Sequence, residues 1–138
     1  MADVFLISCV KSKRTSSCTA GEMYTSPLFV KMLAYAKSLR PRQIFVLSAK
    51  YGLLDLDTVI EPYELTLNKM PSSSRAAWAQ GVLTGLKRRI DLDRDQIVFL
   101  AGLRYRELLV PHIQHYSVPM EGMSFGRQLR WLSEQNHV

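Results

Sequence analysis

The order of elements in the chain predicts an α/β fold: a three-layer α/β/α sandwich around a small, mostly parallel sheet of about four strands. Three observations carry that expectation. Uninterrupted apolar runs at 4–7, 44–47 and 97–100 read as strands buried on both faces, the pattern of a parallel sheet. The segments between them carry apolar residues at helical spacing, so strand and helix alternate. A strand–helix–strand unit of this kind closes with a right-handed crossover and parallel pairing.

The first strand, 4–7, opens into Ser8-Cys9-Val10-Lys11-Ser12-Lys13-Arg14, and the polar stretch from Arg14 to Ala20 is expected to be a solvated loop. It lacks the glycine spacing of a phosphate loop, so a Walker-type nucleotide site is not supported. Ser26 and Pro27 suit a helix start, the serine as cap and the proline at the first helical position. Leu28, Phe29, Met32, Leu33, Ala36 and Leu39 then form one apolar stripe, which Pro41 ends.

Residues 43–47 are the second strand, followed by a turn and a compact excursion over 55–70, in which Thr58-Val59-Ile60 is a short strand or an extended lid. The run Pro71-Ser72-Ser73-Ser74 starts a helix whose core stripe is Trp78, Val82, Leu86 and Ile90. Lys87, Arg88 and Arg89 close that helix, where cations suit the helix dipole. The third strand, 96–100, ends in Ala101-Gly102. A helix over 103–115 is expected next, kinked or shortened by Pro111. Residues 116–120 offer a fourth strand at an edge, where proline is tolerated. The last helix carries Phe125, Leu129, Trp131 and Leu132, read as core.

Composition narrows the function classes. With 138 residues, 47% of them hydrophobic and 22% charged, the chain fits one globular domain spanning 1–138. No apolar run approaches the roughly 18–20 residues that span a bilayer, and the start lacks a signal-peptide pattern, so a cytoplasmic protein with no membrane partner is expected. Two cysteines and three scattered histidines fit neither a disulfide scaffold nor a zinc pattern, and no cofactor is expected. The net charge of +6 favours an anionic partner.

Ligands in α/β proteins collect at the carboxyl ends of parallel strands. Ser48, Lys50, Tyr51 and Gly52 follow the second strand, and Asp55, Asp57, Glu61 and Glu64 come soon after. Ser8, Cys9, Lys11 and Lys13 follow the first strand; Gly102, Arg104 and Tyr105 follow the third. Arg104 sits in a helical first turn, where a cation opposes the dipole unless an anion offsets it. Lys11, Lys13, Lys50, Tyr51, Glu64 and Arg104 are therefore expected to share one cleft.

Several segments together carry a family resemblance: Ile7-Ser8-Cys9-x-Lys11-x-Lys13, Tyr24-x-Ser26-Pro27-Leu28-Phe29, Ser48-Ala49-Lys50-Tyr51-Gly52-Leu53-Leu54, Pro62-Tyr63-Glu64-x-Thr66-Leu67, Gly102-x-x-Tyr105, and the Gly122-Met123-Ser124-Phe125-Gly126-x-Gln128-Leu129 ending. Over nearly its whole length the chain resembles a family of uncharacterised small bacterial and phage domains. That family is in turn distantly similar to uracil-DNA-glycosylase-like domains, among them peroxide-stress DNA-binding proteins and the glycosylase-like domain of archaeosine-forming enzymes. The resemblance implies a nucleobase or nucleic-acid site at the strand ends. The Gly-Gln-Asp-Pro-Tyr and His-Pro-Ser-Pro segments of true uracil glycosylases are absent.

Three functions are weighed. The first is cleavage of the N-glycosidic bond of a nucleobase in nucleic acid or a nucleotide. A carboxylate would face the developing positive charge on the sugar, a cation would meet phosphate or the leaving base, and an aromatic ring would stack on the base. Glu64 is read as that carboxylate, with Asp55 and Glu61 as alternates; Lys50 or Lys13 supplies the cation, and Tyr51 or Tyr24 the ring. Ser8, Cys9, Lys11, Ser48, Gly52, Tyr63, Gly102, Arg104 and Tyr105 complete the candidate binding set. The second is a nucleic-acid- or nucleotide-binding module without chemistry, with Glu64 merely a surface carboxylate. The third is a covalent or redox role for Cys9 beside its lysines; no histidine or acid is spaced to assist it, and a small buried hydrophobe is the plainer reading.

Overall fold

Central to the structure, a computed structural model describing residues 3–8 and 13–136, is a strand with parallel partners on both sides. This strand, β1 (Val4–Ser8), is buried at every position. The chain continues through β2 (Cys18–Thr19), α1 (Ala20–Met23), α2 (Pro27–Ser38), β3 (Gln43–Ser48), β4 (Gly52–Asp55) and β5 (Val59–Ile60). There follow α3 (Ser72–Arg89), β6 (Ile97–Leu100), α4 (Leu103–Arg106), β7 (Tyr116–Ser117) and α5 (Phe125–Asn136). The sheet has five strands in the order β4-β3-β1-β6-β7, all parallel except β4, and is flanked by helices as a three-layer α/β/α sandwich requires.

That order fixes where a site can form. From β1 the chain crosses through α2 to β3 on one side, and later returns through α3 to β6 on the other. Right-handed crossovers in opposite directions put α2 and α3 on opposite faces. They also make the carboxyl end of β1 a topological switch point, where a crevice opens. The parallel register sets Ser8 beside Leu47 and Ile7 beside Leu100, so three strand ends share one rim.

Burial explains why these residues hold the sheet. Phe5, Phe45 and Phe99 are fully enclosed, as are Leu6, Ile7, Val46, Leu47 and Ile97; each such side chain contributes roughly 1.5–3 kcal/mol. Ser26 caps α2 as expected, its Oγ accepting from Phe29 N at 3.2 Å. The α3 stripe of Val82, Leu86 and Ile90 is buried, with Trp78 half-buried. Among the described residues no helix is long and apolar enough to cross a membrane.

Four expectations need correction. Gly52–Asp55 is a strand, not only a turn: Ser48 pairs with Gly52, Ala49-Lys50-Tyr51 form a three-residue loop, and Gly52 takes the left-handed φ of +75° that closes it. The stretch from Arg14 to Ala20 is not all solvated loop, because Cys18–Thr19 pairs antiparallel with Val59–Ile60 and Ala20 is buried. The helix over 103–115 stops at Arg106, and turns of the tighter i→i−3 kind carry the chain past Pro111, with Leu109 N bonded to Arg106 O and His112 N to Leu109 O. Phe125 is 60% exposed and does not belong to the core.

Candidate functional site

Behind the strand ends lies a buried chain of hydroxyls. Ser48, the last residue of β3, uses its Oγ to accept from Tyr51 N at 3.0 Å and Lys50 N at 3.3 Å, which shapes the turn into β4. The same hydroxyl donates to Tyr63 Oη at 2.8 Å. Tyr63 Oη and Tyr24 Oη lie 2.7 Å apart and share a hydrogen bond. Trp78 Nε1 donates to the Ser48 carbonyl at 2.8 Å, tying α3 to the same point. Among the described residues no buried side-chain nitrogen or oxygen lacks a partner. A satisfied network of this kind fixes geometry, since an orphaned group would cost about 1–3 kcal/mol.

Over this chain sits Lys13. Its Nζ is 4.8 Å from the centre of the Tyr63 ring and 5.9 Å from that of Tyr24. Lys13 is bridged to Tyr24 across an antiparallel pair, so the segment that leaves β1 returns to place the ammonium on the two rings.

Lys13 also lines an open cleft of about 1120 Å³ at the switch point. Ser8 and Gly102 both line it, with Gly102 N donating to Ser8 Oγ at 3.4 Å. Tyr105 forms part of one wall and is buried, its ring edge-on to Trp78 at 5.9 Å. Glu64 and Arg104 line the same space, both exposed. Arg104 Nη1 lies 3.6 Å from Glu107 Oε1, a carboxylate that offsets a cation in this first turn, and α4 is a single turn with little dipole. Arg106, also in the lining, is committed internally: Nη1 donates to Ala101 O at 2.8 Å, and Nη2 lies 3.6 Å from Glu121.

Three exposed apolar side chains share the lining: Leu65, Leu103 and Phe125, 44%, 59% and 60% exposed. Lys69 joins the cations there. Sequence reasoning missed all four. Phe125 lies one turn ahead of Leu129 on an apolar stripe, which reads as core; as the first residue of α5 it borders the cleft instead.

The expected single cleft is two. Lys13, Glu64 and Arg104 come together with Ser8, Gly102 and Tyr105. Lys50, Tyr51 and Gly52 line a separate groove of about 490 Å³ between β4 and α3. Ser48, Tyr63 and Tyr24 lie behind the surface; Tyr24, 1% exposed, has no free face on which a ligand ring could stack. Asp55 belongs to neither lining: it pairs with Phe45, three residues back from Ser48 along β3, about 10 Å from the rim. Two hydrogen bonds from Arg89, both 2.9 Å, hold its carboxyl below the usual range. Cys9 and Lys11 lie outside the described residues. No group of three or more His, Cys, Asp or Glu able to hold a metal ion occurs among the described residues.

The family model of DUF6884, a family of unknown function, matches residues 4–134, which takes in every strand, both depressions and all but the last two residues of α5. The chain belongs to DUF6884. No curated protein matches it. Membership in DUF6884 supplies no reaction, so the chemistry has to be argued from the cleft.

Proposed function

We propose that the cleft at the ends of β1 and β6 binds a nucleobase with its sugar phosphate and hydrolyses the N-glycosidic bond between them. The observation that carries the reading is the make-up of the cleft mouth. Exposed Leu65, Leu103 and Phe125 share one space with Lys13, Lys69 and Arg104 and with two carboxylates: Glu121, which lies 3.6 Å from Arg106, and Glu64, which has no such partner among the described residues. Apolar surface including an uncovered ring suits the flat face of a base; cations beside it suit a phosphate.

In the reaction the C1′–N bond breaks and its electron pair leaves with the base. The sugar gains oxocarbenium character, which a fixed carboxylate stabilises; Glu64 fills that role. Water then adds its oxygen to C1′, and one of its protons ends on the base nitrogen. Lys13 or Arg104 meets the phosphate, and Phe125 replaces Tyr24 and Tyr51 as the stacking ring. The resemblance to uracil-DNA-glycosylase-like domains supports a strand-end base site. The lack of their water-activating segment means that any activation here has to come from other residues.

One observation favours a second reading, a nucleotide- or nucleic-acid-binding module without chemistry. Glu64 takes no hydrogen bond or ion pair among the described residues, so nothing in the free protein orients it. Release of base from nucleotides and oligonucleotides by wild type but not by Glu64→Gln, read by mass spectrometry, supports hydrolysis. Binding without release in either protein supports the module.

A further inference from the structure

We infer that the groove between β4 and α3 is a second binding site, for the sugar-phosphate backbone of a single-stranded nucleic acid whose terminal or flipped nucleotide occupies the cleft. The ligand is then a strand rather than a free nucleotide. The inference deepens the reading of the cleft and rests on it for the chemistry of the ligand.

Charge is the first argument. Lys50, Arg88 and Arg89 are the charged residues that line the groove, and all three are cations. Arg89 is committed to Asp55. Lys50 and Arg88 have no carboxylate partner among the described residues, and both are exposed. Lys50 Nζ lies over the Tyr51 ring at 5.2 Å, which gives the groove one cation backed by a ring and one at its far end on α3. Cations interleaved with aromatic surface, here Tyr51 and Trp78, are how single strands are held without regard to sequence.

Shape is the second. The floor is α3 at Ala77, Gly81 and Gly85. Packing accounts for Gly85, where an added Cβ would sit 3.3 Å from Leu53. Gly81 has no such reason: an added Cβ meets no heavy atom within 4 Å. A glycine in the middle of an 18-residue helix costs stability relative to alanine, and at Gly81 the fold gains nothing in return. What the glycine provides is depth in the groove, enough for a backbone to approach the helix closely.

Continuity is the third. Among the described residues, aromatic pairs connect groove and cleft. Trp78 of the groove meets Tyr105 of the cleft edge-on at 5.9 Å, and Tyr51 meets Tyr63 at 5.7 Å, whose ring carries Lys13 of the cleft. The inferred strand leaves the cleft over these rings and meets Lys50 in the groove lining.

The test compares wild type, the Lys50→Ala/Arg88→Ala double variant and Gly81→Leu. Three probes are used: a fluorescein-labelled single strand of mixed sequence and a fluorescein-labelled acidic peptide, each followed by anisotropy across a salt series, and the nucleoside monophosphates, followed by calorimetry. For the double variant the inference expects strand affinity to fall about tenfold or more, with the salt slope reduced by about 0.7 per lost phosphate contact. Gly81→Leu should lose strand affinity with its charge intact and its melting temperature not lowered. Monophosphate affinity should stay unchanged in both. Strand affinity unchanged in the variants, strand and monophosphate affinity falling together, or wild type binding an acidic peptide in place of the strand would each overturn the inference. If monophosphates fail to bind wild type while the strand binds and the variants weaken it, the groove stands and the cleft reading falls.

Discussion

Arg89 holds Asp55 with two parallel hydrogen bonds of 2.9 Å, from the last turn of α3 to the last residue of β4. This bidentate pair removes Asp55 from the catalytic candidates and gives the basic end of α3 a structural task. Both side chains are over a third exposed, so the pair contributes under about 1 kcal/mol. Asp55→Asn is expected to leave nucleotide binding and base release within about twofold of wild type, at that small cost in stability. Urea titration and a base-release assay measure the two effects.

The sign of the pH dependence follows. The carboxyl of Asp55 titrates lower in the fold than in the unfolded chain, because Arg89 hydrogen-bonds its charged form. Stability from the pair is therefore present above about pH 4, the ordinary aspartate value, and is lost as pH falls through the depressed folded value. Melting temperatures of wild type and Asp55→Asn should differ above that range and converge in acid.

Tyr63 links Ser48 to Tyr24 in the buried hydroxyl chain. Tyr63→Phe leaves the Ser48 hydroxyl without its acceptor and should cost about 1–3 kcal/mol. A Tm lowered by several degrees is the expected reading. A Tm equal to that of wild type would mean that the chain does not stabilise the rim.

Phe125 separates binding from folding. Because the ring is 60% exposed, Phe125→Ala should change stability by no more than about 0.5 kcal/mol. If it stacks on a base, about 1–3 kcal/mol of ligand affinity goes with it. Calorimetric titration of nucleotides or oligonucleotides into both proteins reads this directly.

Gly81→Ala should stabilise the protein by about 0.5–1 kcal/mol, since the added methyl meets nothing and relieves the helix of a glycine. Thermal or urea unfolding checks it.

The three central strands β1, β3 and β6 were legible in the sequence because they are buried on both faces over most of their length, and the α2 cap because Ser26 and Pro27 act locally. The hairpin strand β4 was missed although Gly52 ahead of Leu53-Leu54 marks a three-residue turn; the many polar groups around it drew attention to ligand chemistry instead. Division of the strand-end residues between a cleft and a groove was not legible at all. It depends on Trp78 and Tyr51 standing against Tyr105 and Tyr63, contacts between residues up to 27 and 12 positions apart that no local pattern encodes. Exposure of Phe125 was hidden for a similar reason: helical spacing says which residues share a face, not how far the neighbouring helix extends to cover it.

Base release under single-turnover conditions, with wild type, Glu64→Gln and Asp55→Asn side by side on the same strand and nucleotide substrates, tests the central claim most directly. The account predicts release by wild type and Asp55→Asn at comparable rates, and a loss of about 10²–10³ in Glu64→Gln with substrate binding kept. Equal release by wild type and Glu64→Gln, or none by any of the three while all bind nucleic acid, would contradict it.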